Sequence, residues 1–190
     1  MKVTETEILD LKVIEMKRFA DERGFFVERF HQGRFAEAGL NIRFVQDNHS
    51  RSHPRVLRGL HYQYDQPQGK LVGCVRGRIW DVAVDLRRGS STFGRHVALE
   101  LNEDNGLLLW IPAGFAHGFC VLGEESAELI YKVDAFYNPR GEGAIHWADQ
   151  QLAIQWPIAQ SILSSKDHEA PSFAAYCESK LAQTMWWSEH

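Results

Sequence analysis

From residue 77 onward the chain alternates. In GRIWDVAVDLR (77–87), Trp80, Val82, Val84 and Leu86 fall on one side, and Ile79, Asp81, Ala83 and Asp85 on the other. A period of two marks a strand. RHVALEL (95–101), GLLLWIP (106–112), GFCVL (118–122) and AELIYKVDAFY (127–137) follow as further strand segments, separated by Gly, Asn, Asp or Pro. Short strands with no helical pattern between them predict an all-β antiparallel sandwich or barrel rather than a βαβ fold. Two segments depart from the pattern. QGRFAEAG (32–39) predicts a turn or two of helix, and SFAAYCESKLAQTMWW (172–187), after Pro171, predicts a longer one. In that second segment Phe173, Cys177, Leu181 and Met185 are four apart and would share a face. There is no repeat, low-complexity tract or linker, so residues 1–171 read as one domain and 172–190 as a helical tail.

Composition narrows the class. Of 190 residues, 44% are hydrophobic and 24% charged, which suits a globular protein able to bury its own core. A net charge of −4 without a basic run gives no footprint for nucleic acid. Three widely spaced cysteines, Cys74, Cys120 and Cys177, include no C-x-x-C pair, which argues for a reducing compartment rather than a disulfide framework. The N-terminal stretch lacks a signal-type apolar region and no segment approaches 18 apolar residues, so a cytoplasmic, membrane-free protein is expected.

The chemistry concentrates in two stretches. RGLHYQYDQPQGK (58–70) carries His61 between Arg58 and Lys70, and IPAGFAHGF (111–119) carries His117 after a Pro-x-Gly turn. His117 is expected on that turn, between two strands. Together they resemble the two motifs of the cupin superfamily, a jelly-roll barrel whose inner strands converge on one pocket. In metal-binding cupins that pocket holds three histidines and a glutamate. Here the other two positions are Gln63 and Gln68. An amide oxygen is a poor ligand for a transition metal, and two histidines fall short of the usual three protein ligands. No metal is expected.

The resemblance then becomes closer. DERGFFVERF (21–30), FVQDNHSRS (44–52), RGLHYQ (58–63), QGKLV (68–72), DVAVDLR (81–87), WIPAGFAHGF (110–119), YKVDAFYNP (131–139) and LSSKD (163–167) occur in that order. They are similar to the dTDP-4-dehydrorhamnose 3,5-epimerase family, over about residues 3–173. The resemblance implies a cofactor-independent isomerase acting on a dTDP-linked 4-keto-6-deoxyhexose, working as a homodimer. It implies a cupin-type jelly roll with a few short peripheral helices, and a tail packed on the domain or on the dimer partner. It makes His61 the base, Asp167 the carboxylate behind it, Tyr131 the acid on the opposite face, and Lys70 and His117 the groups near the C4 oxygen. A base with an ordinary pKa near 6.5 and a phenol protonated at neutral pH suit these roles. Arg23 and Arg58 are implied as phosphate contacts. Glu28, Gln46, Asp47 and Asn48 would hold the thymine and deoxyribose end, Phe26 and Tyr137 would stack on the base, and Glu142 and Lys166 would also contact the ligand.

Taken singly, most of these residues have plainer explanations: a turn lysine, a charged turn around Arg23, a strand tyrosine, a buried phenylalanine. Asp81, if inward-facing, needs a partner, with His61 or Lys70 as candidates. Three other functions compete: a single-site dTDP-keto-sugar epimerase or ketoisomerase, a metal-dependent cupin, and a sugar-binding module. The glutamines disfavour the second, and a base–acid pair has no use in the third.

Overall fold

The computed structural model describes residues 1–185. Its strands are β1 (Lys2–Glu5), β2 (Lys12–Glu15), β3 (Arg18–Asp21), β4 (Gly24–Val27), β5 (Gln46–Ser52), β6 (Leu57–Gln63), β7 (Lys70–Arg76), β8 (Arg78–Asp85), β9 (His96–Asn102), β10 (Leu107–Ile111), β11 (Phe115–Val121), β12 (Ala127–Val133) and β13 (Glu142–Ala144). The helices are short: α1 (Gln32–Glu37), α2 (Ser165–His168), α3 (Phe173–Glu178) and α4 (Lys180–Thr184). A six-stranded sheet in the order β1-β2-β10-β7-β12-β5 faces a five-stranded sheet in the order β13-β6-β11-β8-β9, and β3-β4 forms a separate hairpin. All named strand pairings are antiparallel.

The alternation in β8 is as expected, and both of its faces are buried. Ile79 and Ala83 join Val72, Cys74, Leu109 and Leu129 in the core between the sheets. Val82 and Val84 join Leu60, Tyr62 and Ala116 in a second core behind the five-stranded sheet. A third cluster, Ile14, Phe35, Leu71, Leu108 and Trp110, lies where α1 covers the back of the six-stranded sheet. Asp85 is buried and satisfied: Arg87 binds it with three hydrogen bonds of 2.9 Å, one from its backbone N–H and two from its guanidinium, and Ser90 and Thr92 each donate at 2.7 Å. Burial pushes its carboxyl up, but these donors outweigh it and the net pKa lies below the usual range.

Three sequence expectations change. His117 lies inside β11 rather than on a turn, because that strand begins at Phe115; the turn itself is at 112–114. The strand expected over 127–137 stops at Val133, so Tyr137 belongs to a loop. The C-terminal helix is two helices. Ser179 is extended (ψ 153°) and caps α4 by accepting from Ala182 N–H, in keeping with serine's preference for N-caps. The helical frame restarts there, so the buried set is Phe173, Tyr176, Ala182 and Met185, not the four-apart series; Cys177 and Leu181 are only half-buried. This part of the tail packs on the second core. Tyr176 meets Tyr62 edge-on with ring centres 5.3 Å apart, and Arg88 N–H donates to the Met185 carbonyl at 2.9 Å. Trp186 and Trp187 lie outside the described residues.

One close approach positions the chemistry. Strands β6 and β11 meet at Gly59 and Gly118, where a Cβ on Gly59 would lie 2.5 Å from the Gly118 Cα. Gly59 also has φ +123°, which side chains disfavour. The register shifts between His117 and Phe119, and the pairing places His117 directly opposite His61.

Candidate active site

The two histidines rise from neighbouring strands of the five-stranded sheet. Tyr131 on β12 and Lys70 at the start of β7 come from the facing six-stranded sheet. Together with Ser50, Arg58, Phe119 and Leu129 they line a cavity of about 180 Å³. His61 and Tyr131 therefore stand on opposing walls of one pocket.

His61 Nε2 lies 2.5 Å from Asp167 Oδ1. Asp167 is buried on α2, where Ser164 Oγ donates to Oδ2 at 2.8 Å and accepts from the Asp167 N–H at 3.2 Å. Burial pushes this carboxyl up, yet the hydrogen bonds from His61, Ser164 and Gly59 N–H bring it below the usual range. An ionised Asp167 requires the proton on Nε2 of a neutral His61, leaving the Nδ1 lone pair as the basic site. Ser164 was not among the expected site residues. Its signal was the Ser-x-x-Asp spacing in LSSKD, a helix-start pattern that here also fixes the carboxylate.

A second histidine–carboxylate pair stands beside the first. His117 Nε2 is 2.7 Å from Asp81 Oδ1, and Asp81 is fully buried with no hydrogen-bond partner for Oδ2. The hydrogen-bond partner of Asp81 is thus His117, not His61 or Lys70. Its charge still acts on Lys70. Burial brings the Lys70 ammonium down to about 8, against the opposing influence of Glu142 and Asp81. Burial also raises the Tyr131 phenol; Arg58 opposes the shift and Glu142 adds to it, and the net is upward. Tyr131 is therefore a protonated donor at neutral pH.

Other expected polar groups lie on or near adjoining elements, with β5 beside β12 and β13 beside β6. Tyr137 Oη donates to Glu142 Oε2 at 3.0 Å, and Lys166 Nζ sits 2.6 Å from the same carboxylate. Arg58 is held by Nε–H donation to the buried Ser52 Oγ at 3.0 Å. Gln46 and Asn48 lie on the same face of β5, where the Gln46 amide donates to the Asn48 Oδ1 at 2.8 Å. Of the expected residues, His61, Lys70, Tyr131, Arg58 and His117 line this cavity; Asp47 and Asn48 line a neighbouring one with Tyr131, and Lys166 and Asp167 another with Arg58 and His61. Asp47 pairs with Lys132 at 2.8 Å, and Glu28 pairs with Arg34 at 2.7 Å. Arg23 folds back on Asp21 at the tip of the β3-β4 hairpin, and Phe26 on the same hairpin is exposed.

Gln63 and Gln68 do not act as free ligand groups. Gln63 Nε2 donates to the carbonyls of Gln66 and Phe136, and Gln68 Nε2 donates to the carbonyl of Ala135. Among the described residues no cluster of three or more His, Cys, Asp or Glu side chains could hold a metal ion.

Known proteins resemble this chain over most of its length. Residues 5–175 match the family model described as dTDP-4-dehydrorhamnose 3,5-epimerase. A dTDP-4-dehydrorhamnose 3,5-epimerase of Shigella flexneri is 52% identical over 175 residues, 91% of this chain and 96% of that protein. The crystal structure of a dTDP-6-deoxy-D-glucose-3,5-epimerase from Legionella pneumophila, in complex with dTDP-4-keto-L-rhamnose, is 46% identical. It superimposes with a TM-score of 0.92, covering 100% of this chain and 99% of that one. A dTDP-4-dehydrorhamnose 3-epimerase of Streptomyces niveus is 40% identical over 167 residues, 87% of this chain and 80% of that protein. On the family match and these identities, the chain belongs to the dTDP-4-dehydrorhamnose 3,5-epimerase family.

Proposed function

We propose that this chain inverts C3 and C5 of dTDP-4-dehydro-6-deoxy-D-glucose, giving dTDP-4-dehydro-L-rhamnose, with His61 as base and Tyr131 as acid. The observation that carries the assignment is the pair itself: a carboxylate-backed imidazole and a protonated phenol on opposite walls of one cavity. H3 and H5 both flank the C4 ketone, which makes them acidic, and both lie on one face of the gluco ring, so one base serves both. His61 Nδ1 takes the proton, and the C–H electron pair moves into the ring to leave an enolate with its charge on O4. Lys70 offers an ammonium to that oxygen, and such stabilisation is often the largest single catalytic contribution. His117, held through Nε2 by Asp81, is the second polar group near O4. Tyr131 then protonates carbon from the other face. The imidazolium and phenolate exchange protons with solvent before the second inversion. No redox step occurs, and no metal or organic cofactor has a role in these steps.

In this proposal Arg58 and Lys166 neutralise the diphosphate, Gln46, Asn48 and Glu142 hold the nucleoside end, and Tyr137 stacks on thymine. Arg23, Phe26, Glu28 and Asp47 would then act across a dimer. The β3-β4 hairpin supports that arrangement. Phe19, Phe25 and Phe26 are 51%, 57% and 67% exposed, and covering such side chains gains roughly 1.5–3 kcal/mol each. A homodimer in which each hairpin reaches the neighbouring pocket provides the cover, and light scattering should give about twice the 21.8 kDa chain mass; a persistent monomer would refute it. We place the enzyme in the cytoplasm, consistent with three free cysteines and with the absence, among the described residues, of a helix long and apolar enough to cross a membrane.

The test is NMR of the product formed from dTDP-4-dehydro-6-deoxy-D-glucose in the presence of a strong chelator. Inversion at both carbons is the expected result. Inversion at one carbon would make the chain a single-site enzyme like the Streptomyces niveus relative, and activity restored only by added metal would overturn the metal-free scheme. The same assay across pH tests Lys70. Its cationic form is the useful one and is lost as pH rises through about 8, so kcat/KM should fall above that pH. A profile flat to pH 10 would remove Lys70 as the charged partner of O4.

A further inference from the structure

The loop after β12 is held by side-chain amides at four consecutive residues. Gln68 Nε2 donates to Ala135 O at 2.7 Å, and Gln63 Nε2 donates to Phe136 O at 3.1 Å. Gln46 Oε1 accepts from Tyr137 N–H at 3.3 Å, and Gln63 Oε1 accepts from Asn138 N–H at 2.9 Å. Gln63 Nε2 also reaches Gln66 O at 2.6 Å, tying the β6–β7 connection to the same point. These backbone groups lie outside any sheet ladder, and each buried one left unpaired would be costly. Gln63 must give hydrogen bonds to carbonyls and take one from an N–H at the same place. A carboxylate can only accept, and an imidazole cannot supply that combination. The requirement for an amide, rather than the loss of a ligand, accounts for glutamine at this position.

We infer that Gln63 and Gln68 are positioning residues that act through Tyr137, setting the aromatic rim of the nucleotide site without touching the reacting sugar. The inference rests on the reading of Tyr137 as the thymine contact. The loop's two aromatic side chains, Phe136 and Tyr137, project into solvent. The loop places Tyr137 Oη against Glu142, which pairs with Lys166. Ordering the backbone in advance removes that entropy cost from binding. Loss of the clamp should therefore weaken nucleotide affinity and spare the proton transfers at His61 and Tyr131.

The test uses Gln63→Leu, Gln68→Leu, Tyr137→Ala and the double variant Gln63→Leu/Tyr137→Ala, with calorimetric binding of dTDP and steady-state kinetics on the full substrate. Each glutamine variant should weaken dTDP binding roughly 5- to 50-fold and raise KM in proportion, with kcat within about threefold of the parent. Gln68→Leu removes a single donor and serves if Gln63→Leu folds poorly. In the double variant the glutamine change should cost no further affinity, because its effect passes through Tyr137. Full additivity, or a loss of kcat with KM unchanged, would overturn the inference. If Tyr137→Ala weakens dTDP binding while neither glutamine variant does, the clamp alone fails. If Tyr137→Ala leaves dTDP binding intact, the nucleotide reading of Tyr137 fails and the clamp fails with it.

Discussion

In D2O, His61→Ala should leave both H3 and H5 of the substrate unexchanged, while the parent enzyme washes solvent deuterium into both carbons. Each inversion passes through an enolate, so exchange reports proton abstraction whether or not configuration changes. The Nδ1 lone pair of His61 exists because Asp167 holds the ring proton on Nε2. Asp167→Asn tests that dependence at constant size. Its amide oxygen would still accept from Ser164, which turns the NH2 toward Nε2 and drives the ring proton onto Nδ1. The base is then in the wrong tautomer, and the loss in kcat should be on the order of 10³- to 10⁴-fold. Exchange that continues at either carbon in His61→Ala would remove His61 as the base at that carbon. Near-normal turnover in Asp167→Asn would show that the 2.5 Å contact does not control the tautomer.

Tyr131→Phe should separate exchange from epimerisation. The variant loses the donor on the far wall, but His61 can still abstract a proton and return a deuteron to the same face. Exchange with retained configuration is expected at one carbon at least, while net epimerisation falls by roughly 10²- to 10⁴-fold, the usual range for a lost general acid. Burial of the phenol predicts little change in the pocket's shape, since phenylalanine preserves the ring that packs against the core between the sheets. Equal loss of exchange and epimerisation would mean that Tyr131 also contributes to forming the enolate. Unchanged epimerisation would assign the far-face proton to another group.

Much of the fold was legible in the chain because strand character is a local property. Alternating β8 residues sort to opposite faces through backbone pleat alone. Local pattern failed where a local competitor intervened. The serine at 179 stops one helix and caps the next, so of the four-apart series spanning 173–185 only Phe173 and Met185 are buried, while Cys177 and Leu181 are replaced in the core by Tyr176 and Ala182. Similarly, the apolar run through Tyr137 read as strand although the three glutamines hold its last residues in a loop.

The sequence by itself determined the all-β architecture, the absence of a basic surface run, and which residue types were on hand for proton transfer. With the ordered motifs it also pointed to the family. Only the tertiary structure decided which of these residues meet. Asp167 reaches His61 across 106 positions of chain, and Asp81 goes to His117 because β8 and β11 pair in a register that brings them together. Register and the packing of two sheets are long-range properties, and a slip of one residue would turn a strand-borne His61, Asp81 or His117 to the other face. The same holds for Gln63 and Gln68: their spacing suggested a dismantled metal site, and only the fold brings to them the backbone of residues 135–138, which needs both a donor and an acceptor.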